Sequence, residues 1–366
     1  MALGLSACGG TAPEETPVVP EEPSADVLQS VEYTIETKDH SIRDTQGNIC
    51  MEQCYDLVQV SGEGPVVEAI NQDLQASYED YLSMLPSDDE EVQMYIEMSD
   101  PSYPFYNSME VEEMYNENGC FSLRYTSHWF AGGVANSSYT SQVYSLEDGT
   151  RQTAAEVLGV DEEALKYYVK DTVRKFIFEK NEPDMIFEDA EQTIAEEYTA
   201  DRMEYYIGEG GQLWVCVQEY EIAPGSAGSF SLPCNLYLGD NQTRQDRDYA
   251  AKLASTPVWS SYLAAPSLFA EYSFSADGTC EITEAYAYSD VGNAWTGTWS
   301  ADHTGLLTLE LYNHNFEQTD HWTFQLVPMG ETLVLIQKSE SGLMYEAGPG
   351  YGITMFPERA SDAWDA

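Results

Sequence analysis

Apolar and polar residues alternate along "VEYTIETK" from Val31 and along "YDLVQVSG" at 55–62, the two-residue period of half-buried strands. At Pro65 the period changes. Val66, Ile70, Leu74, Tyr81, Leu82 and Leu85 recur at helical spacing, which predicts a helix closed by Pro86 and the acidic run Asp88-Asp89-Glu90-Glu91. From Met109 the pattern is strand-like again, with Asn118-Gly119 as a two-residue hairpin signal and Asp148-Gly149 as a second turn after "SSYTSQVYSL". Two helices are predicted next. In "DEEALKYYVKDTVRKFIF" the residues Leu165, Tyr168, Val169, Thr172, Val173, Phe176 and Ile177 form one apolar stripe; acids open it and Arg174, Lys175 and Lys180 close it, as the helix dipole favours. The second is "DMIFEDAEQTIAEEY", and strands return at "GQLWVCVQEYEI" and "GSFSLPCNLYL".

Residues 29–238 therefore read as an α+β module, helices packed on antiparallel sheet, divisible into subdomains at 29–100 and 101–238. Residues 239–256 are polar and read as a linker. Residues 257–360 are almost purely strand-like, with turns at Asp277-Gly278, His303-Thr304-Gly305 and Met329-Gly330. That spacing predicts a separate small all-β barrel or sandwich.

Charge narrows the function. The chain of 366 residues carries 64 Asp and Glu against 15 Lys and Arg, a net charge of -49. Residues 29–256 hold 44 acidic and 13 basic side chains, and residues 257–366 hold 15 and 2, so both parts are acidic. Without a basic patch there is nothing to displace phosphate counterions, which excludes nucleic acid as a partner. Cationic peptides or basic proteins are the partners such a surface attracts.

The first residues, "MALGLSACGGTAPEETPVVPEEP", place Leu5-Ser6-Ala7 ahead of Cys8, the arrangement cut by lipoprotein signal peptidase before a cysteine that accepts diacylglycerol. Residues 1–8 are accordingly expected to be a signal remnant and residues 9–28 an acidic, proline-rich tether that cannot bury a core. The expected location is the outer face of the cytoplasmic membrane, with the lipid as sole membrane contact. Beyond Cys8 lie Cys50, Cys54, Cys120, Cys216, Cys234 and Cys280, an even number that permits disulfides without choosing among their pairings. Cys50 and Cys54 on a single strand would stand about 13 Å apart, too far for a bridge.

Chemical motifs are sparse. "PGSAGS" is no nucleophile elbow. His303, His314 and His321 fit no helical metal motif, and Asp88 to Glu91 lack the alternating oxygens and glycine of a calcium loop. No cofactor and no metal are expected. Paired carboxylates suited to glycan hydrolysis carry little meaning among 64 acids. Trp295, Trp299 and Trp322, with Tyr286, Tyr288 and Tyr312, crowd one domain, where they fill a core or line a barrel mouth.

Residues 205–234, "YYIGEGGQLWVCVQEYEIAPGSAGSFSLPC", resemble the closing segment of an uncharacterised extracellular domain family of Gram-positive bacteria, matching at Tyr220, Glu221, Ile222, Ala223, Pro224, Ala227 and Gly228. "FAGGVANSSYTSQVYSLEDGTRQTAAEVLG" resembles that family's double-glycine loop at Gly132 and Gly133. Val134 and Ala135 follow where the family has a histidine, so no role of that histidine carries over. Residues 31–85, with Asn71 on the helix, resemble the partner domain that precedes it. The pair forms the extracellular part of the lysozyme-sensing anti-sigma factor of bacilli and the N-terminal region of some peptidoglycan deacetylases. The strands after 257, through "WTGTW" and "SADGT", resemble lipocalin-like domains of Gram-positive lipoproteins. The resemblance implies a non-enzymatic, wall-facing binding module whose partner is a cationic protein such as lysozyme or a cell-wall glycan. The alternative is an envelope glycan hydrolase using two carboxylates.

Overall fold

The computed structural model describes residues 28–100, 102–180, 186–187, 189–199, 202–239, 248–263, 268–286, 289–339 and 350–360. It is α+β, with helices on antiparallel sheet followed by an all-β barrel. Cys8, the tether up to residue 27 and Tyr288 lie outside the described residues.

The first sheet contains β1 (Tyr33–Asp39), β2 (Ile42–Arg43), β3 (Ile49–Val60), β4 (Phe105–Glu117), β5 (Cys120–Phe130) and β6 (Asn136–Ser145), ordered β1-β3-β4-β5-β6 with β2 on β3. Only β3 and β4 run parallel. A parallel pair needs a long crossover, and helices α1 (Pro65–Ser83) and α2 (Asp89–Met98) supply it. The predicted stripe Ile70, Leu74 and Tyr81 is buried against Tyr55, Val58, Phe121, Leu123 and Tyr125. The Asn71 side chain donates to the Val60 carbonyl at 2.9 Å and accepts from the Val60 N–H at 2.8 Å, fastening helix to strand end. The acidic run expected to close the first helix instead opens the second. Asp88 is its N-cap, accepting from the Glu91 N–H at 2.9 Å, and Asp89, Glu90 and Glu91 occupy the first turn, where the helix dipole favours negative charge.

Helices α3 (Ala154–Leu158), α4 (Glu162–Lys180) and α5 (Ala190–Glu197) lead to a three-stranded sheet, β7 (Tyr205–Ile207), β8 (Gln212–Val217) and β9 (Phe230–Tyr237). Leu165, Val169 and Val173 of α4 share a core with Ile207, Leu213, Val215 and Leu236. Thr153 and Glu156 close a capping box around α3, and Gly159 ends it in the left-handed conformation.

The barrel comprises β10 (Trp259–Tyr262), β11 (Leu268–Phe274), β12 (Thr279–Tyr286), β13 (Ser289–Ala301), β14 (Leu306–Asn313), β15 (Gln318–Met329), β16 (Thr332–Gln337) and β17 (Gly352–Met355), each antiparallel to the next. Ser260 and Phe356 exchange two main-chain hydrogen bonds of 2.9 and 2.8 Å and bring the last strand onto the first. The stretch expected to be linker ends in helix α6 (Tyr249–Ser255), because Leu253 is fully buried in the barrel core and its carbonyl accepts from Trp259 Nε1 at 3.2 Å.

Helix α4 also packs on the outside of the barrel, so its buried surface is wider than the predicted stripe. Tyr262, Phe269, Val334, Ile336 and Phe356 join its core. Gly352 is necessary there, since a Cβ would lie 2.1 Å from the Tyr167 ring. Asp171, 1% exposed, accepts from the Thr354 N–H at 2.7 Å and from Arg174 Nη1 at 3.1 Å, with Lys170 Nζ at 3.8 Å. Lys170 donates onward to the Tyr351 hydroxyl at 2.7 Å. Lys175 pairs with Glu358, which also accepts from the Tyr262 hydroxyl at 2.7 Å.

Candidate ligand-binding surface

Helix α1 covers one face of the first sheet. The other face carries, in neighbouring register positions, Glu112 beside Arg124, Glu110 beside Thr126, Ser108 beside His128, and Glu52 beside Tyr106. Period-two alternation forces this separation: Leu123 and Tyr125 go to the helix and Arg124 and Thr126 to the opposite side. Glu52, Glu110 and Glu112 are exposed. Among the described residues the small sheet covers only one end of this face, where the buried Ser122 hydroxyl accepts from the Ile207 N–H at 3.0 Å. At that margin the Arg124 guanidinium lies 4.7 Å from the Tyr139 ring and 5.3 Å from the Tyr206 ring, and pairs with Glu112 at 2.7 Å. Trp214 stacks on Tyr206, with ring centroids 6.0 Å apart. Asp56 is spent on structure, accepting from Thr37 Oγ1 at 2.6 Å and from the Val111 N–H at 3.3 Å. The result is an acidic floor walled at one end by aromatic rings.

The outer edge of β6 is not bare. Gln218 accepts from the Tyr139 N–H at 2.8 Å and donates to its carbonyl at 2.9 Å, as a neighbouring strand would. Glu204 Oε2 accepts from both the N–H and the hydroxyl of Ser141 at 2.9 Å, and Arg151 donates to the Ser141 carbonyl at 2.6 Å. Side chains therefore do the work of a paired strand and block edge-to-edge association.

Tyr220, Glu221, Ile222, Ala223, Pro224 and Gly228 build the turn that presents Gln218. Tyr220 has φ +63° and its ring lies over Gly225, where a Cβ would sit 2.2 Å from Cζ. Glu221 accepts from the Gln218 N–H at 2.7 Å and from the Tyr198 hydroxyl at 3.0 Å. Ile222 is fully buried. These residues hold a backbone shape and leave Tyr220 half exposed. Gly132 and Gly133 belong to the loop between β5 and β6; Gly132 has φ +88° and a Cβ there would meet Phe105 at 3.3 Å. Val134 beside them is exposed. The Tyr220 turn docks beside that loop at the start of β6, where Glu219 accepts from the Ser137 hydroxyl at 3.0 Å and the Ser229 hydroxyl donates to the Ser137 carbonyl at 2.8 Å.

In the barrel, Trp295 and Trp322 are each 1% exposed and meet edge to face at 5.2 Å. Trp295 Nε1 donates to Asp320 at 3.0 Å, and Trp299 packs on Phe274 while donating to the Ser275 carbonyl at 3.0 Å. All three rings fill space. Tyr286 is half-buried against the same core, and exposed Tyr312 meets His314 edge to face at 5.2 Å. His314 bonds Thr296 at 2.8 Å and His321 pairs with Glu310 at 2.7 Å, while His40 bonds Tyr78 at 2.6 Å. Among the described residues no cluster of three His, Cys, Asp or Glu side chains suits a metal ion. The six described cysteines are free thiols, and Cys50 and Cys54 do share strand β3. Burial pushes the thiols of Cys120, Cys216 and Cys234 up to about 12 and that of Cys280 up to about 11.

Two clefts that the sequence did not signal lie beyond β6. One, of about 350 Å³, is lined by Ser141, Arg151, Arg202, Glu204 and Tyr205 among others. The other, of about 340 Å³, is lined by Tyr115, Asn118, Cys120, Glu156 and Leu238 among others, and Gln152 borders both. Their linings come from distant segments, Ser141 and Glu204 being 63 positions apart, which no local spacing announces.

No family model and no curated protein matches the sequence. Similar solved structures include a member of the DUF3298 family from Bacteroides fragilis, at 14% identity and a TM-score of 0.40, covering 56% of this chain and 90% of that one. A DUF3298 family protein from Pseudomonas aeruginosa is similar at 14% identity and a TM-score of 0.40, covering 56% of this chain and 89% of that one.

Proposed function

We propose that this protein is a non-enzymatic binding protein of the cell surface, anchored by lipid on Cys8, whose acidic sheet floor docks a cationic protein or peptide. The observation that carries the reading is the uncovered face of the first sheet, with Glu52, Glu110 and Glu112 exposed on it and aromatic rings at its margin. Complementary charge speeds encounter and makes binding weaken with salt, while the half-buried Tyr139 ring supplies contact area at a protein interface. The resemblance to the lysozyme-sensing module makes lysozyme the first partner to test.

Calorimetric titration of the protein with lysozyme at low and at moderate salt tests this, beside a Glu52→Gln/Glu110→Gln variant whose side chains carry no structural hydrogen bond named above. Saturable binding, weakened about tenfold or more by salt and by the double variant, is the expected result. Absence of binding at low salt, or binding indifferent to both changes, overturns the reading.

A further inference from the structure

We propose that the cleft lined by Arg151, Arg202 and Glu204 is a second binding site, which takes the free carboxylate end of a short peptide. The argument begins with scarcity, since only 15 of 366 residues are Lys or Arg. Two of them, Arg151 and Arg202, line one cleft of about 350 Å³, a size within the range of small-molecule sites. In a chain with a fourfold excess of acid, arginines are expected to find carboxylates, and Arg43, Arg124 and Arg174 do. Arg151 does not. Among the described residues it forms no ion pair, and its Nη2 donates only to the main-chain oxygen of Ser141, at 2.6 Å. A guanidinium fork held from one side by a carbonyl still offers parallel donors matched to a carboxylate.

Glu204 restricts the ligand further. Its Oε2 is occupied by the N–H and hydroxyl of Ser141, at 2.9 Å each. Arg151 and Glu204 thus grip the same residue from opposite groups, carbonyl and amide, without pairing with each other. The two charges are held apart by the strand edge. Their framework is fixed as well, because the Tyr205 N–H donates to Ser141 Oγ at 3.3 Å and the Tyr205 hydroxyl donates to the Gln152 carbonyl at 2.5 Å. A cleft with separated positive and negative groups disfavours a polyanion such as phosphate, which Glu204 would repel. It favours a carboxylate with a donor group close by, which a peptide C-terminus provides in its last carboxylate and the preceding N–H or ammonium. Arg202, whose Nη1 also donates to the Glu196 carbonyl at 3.2 Å, adds positive charge at the same end.

The test is titration of the full chain with alanyl-alanine, its C-terminal amide and inorganic phosphate, followed by calorimetry or by amide chemical shifts of Ser141, Gln152 and Tyr205. The dipeptide acid is expected to bind saturably, at least about tenfold more tightly than its amide, with phosphate weaker than either. Arg151→Gln should remove that preference, Arg151→Lys should restore part of it, and Glu204→Gln should weaken the acid while leaving its advantage over the amide. Equal affinity of acid and amide for the unaltered protein overturns the proposal, as does the absence of saturable binding by the acid at about 10 mM. Unchanged preference in Arg151→Gln overturns it too. The comparison of acid with amide needs no variant, so it stands even if a substitution at Arg151 disturbs folding.

Discussion

The two sheets of this molecule handle their faces and edges in opposite ways. The barrel closes on itself through Ser260 and Phe356 and fills its interior with Trp259, Trp295 and Trp322. The first sheet stays open: one face is covered by α1, the other presents exposed acids, and the β6 edge is blocked by side chains of Gln218, Glu204 and Arg151. Closure frees the barrel from edges, and it also leaves two of the predicted barrel-lining tryptophans, Trp295 and Trp322, occupied with each other and Trp299 packed on Phe274. Groups that can meet a partner are therefore concentrated on the open sheet and the clefts beside β6.

The two regions are joined by α4, and the sharpest way to break the comparison is to cut that joint. Asp171→Ala removes the carboxylate between Lys170 and Arg174, both buried at less than a tenth exposure. Breaking a buried pair leaves uncompensated charge and costs about 3–5 kcal/mol. Chemical denaturation should show that loss; a decrease below about 1 kcal/mol would mean that the cluster is solvated and the joint weak. Next in size are paired truncations of tryptophan in the two regions. Trp322→Ala in the filled barrel should cost about 3–5 kcal/mol, whereas Trp129→Ala, on the open sheet and 46% exposed, should change stability by less than about 0.5 kcal/mol. Similar losses at both positions would refute the contrast between packed and open regions.

The inward face of the barrel carries an unsatisfied polar side chain. Gln337 is fully buried on the same inward face as Leu333 and Leu335, and neither its Nε2 nor its Oε1 has a hydrogen-bond partner. An unsatisfied buried polar group costs about 1–3 kcal/mol. Gln337→Leu should therefore stabilise the protein by an amount in the lower part of that range, read from the same denaturation curves. A destabilised variant would show that the amide is partnered in solution.

Much of this architecture is legible in the sequence because local patterns fix local structure. Ile70 and Leu74 recur at helical spacing and pack where a stripe should; Asn118-Gly119 turns β4 into β5, with Asn118 at φ +52° and Gly119 at φ +78°. Other features depend on partners distant in the chain. Leu253 sits in a polar stretch, and only the barrel it enters makes its burial intelligible. Asp88 reads equally well as a helix stop or as an N-cap, and what decides is the packing of Val92, Tyr95 and Ile96 on Phe105 and its neighbours. The clefts are less visible still: Arg151, Arg202 and Glu204 belong to no motif, and converge because β7 docks against β6.

The smallest effect expected comes from the turns, where open sheet and barrel use the same device. Asp148, between β6 and α3, and Asp277 and Asp302, in barrel hairpins, each accept from the N–H and hydroxyl of a threonine two residues on. Those hydrogen bonds, led by the threonine N–H at Asp148 and by the threonine hydroxyl at Asp277 and Asp302, hold the carboxyls below their ordinary value of 3.8. A carboxyl lowered in the folded state contributes stability above its unfolded pKa and loses it as pH falls through the folded value. Thermal melting of the native protein and of Asp302→Ala should therefore differ most above about pH 5 and converge as pH falls toward about 2. Asp148→Ala should behave alike despite lying in the other region, since the device is local and independent of whether the sheet is open or closed. A gap that stays constant across that range would show that the turns are held by backbone geometry, with no contribution from the ionised carboxylate.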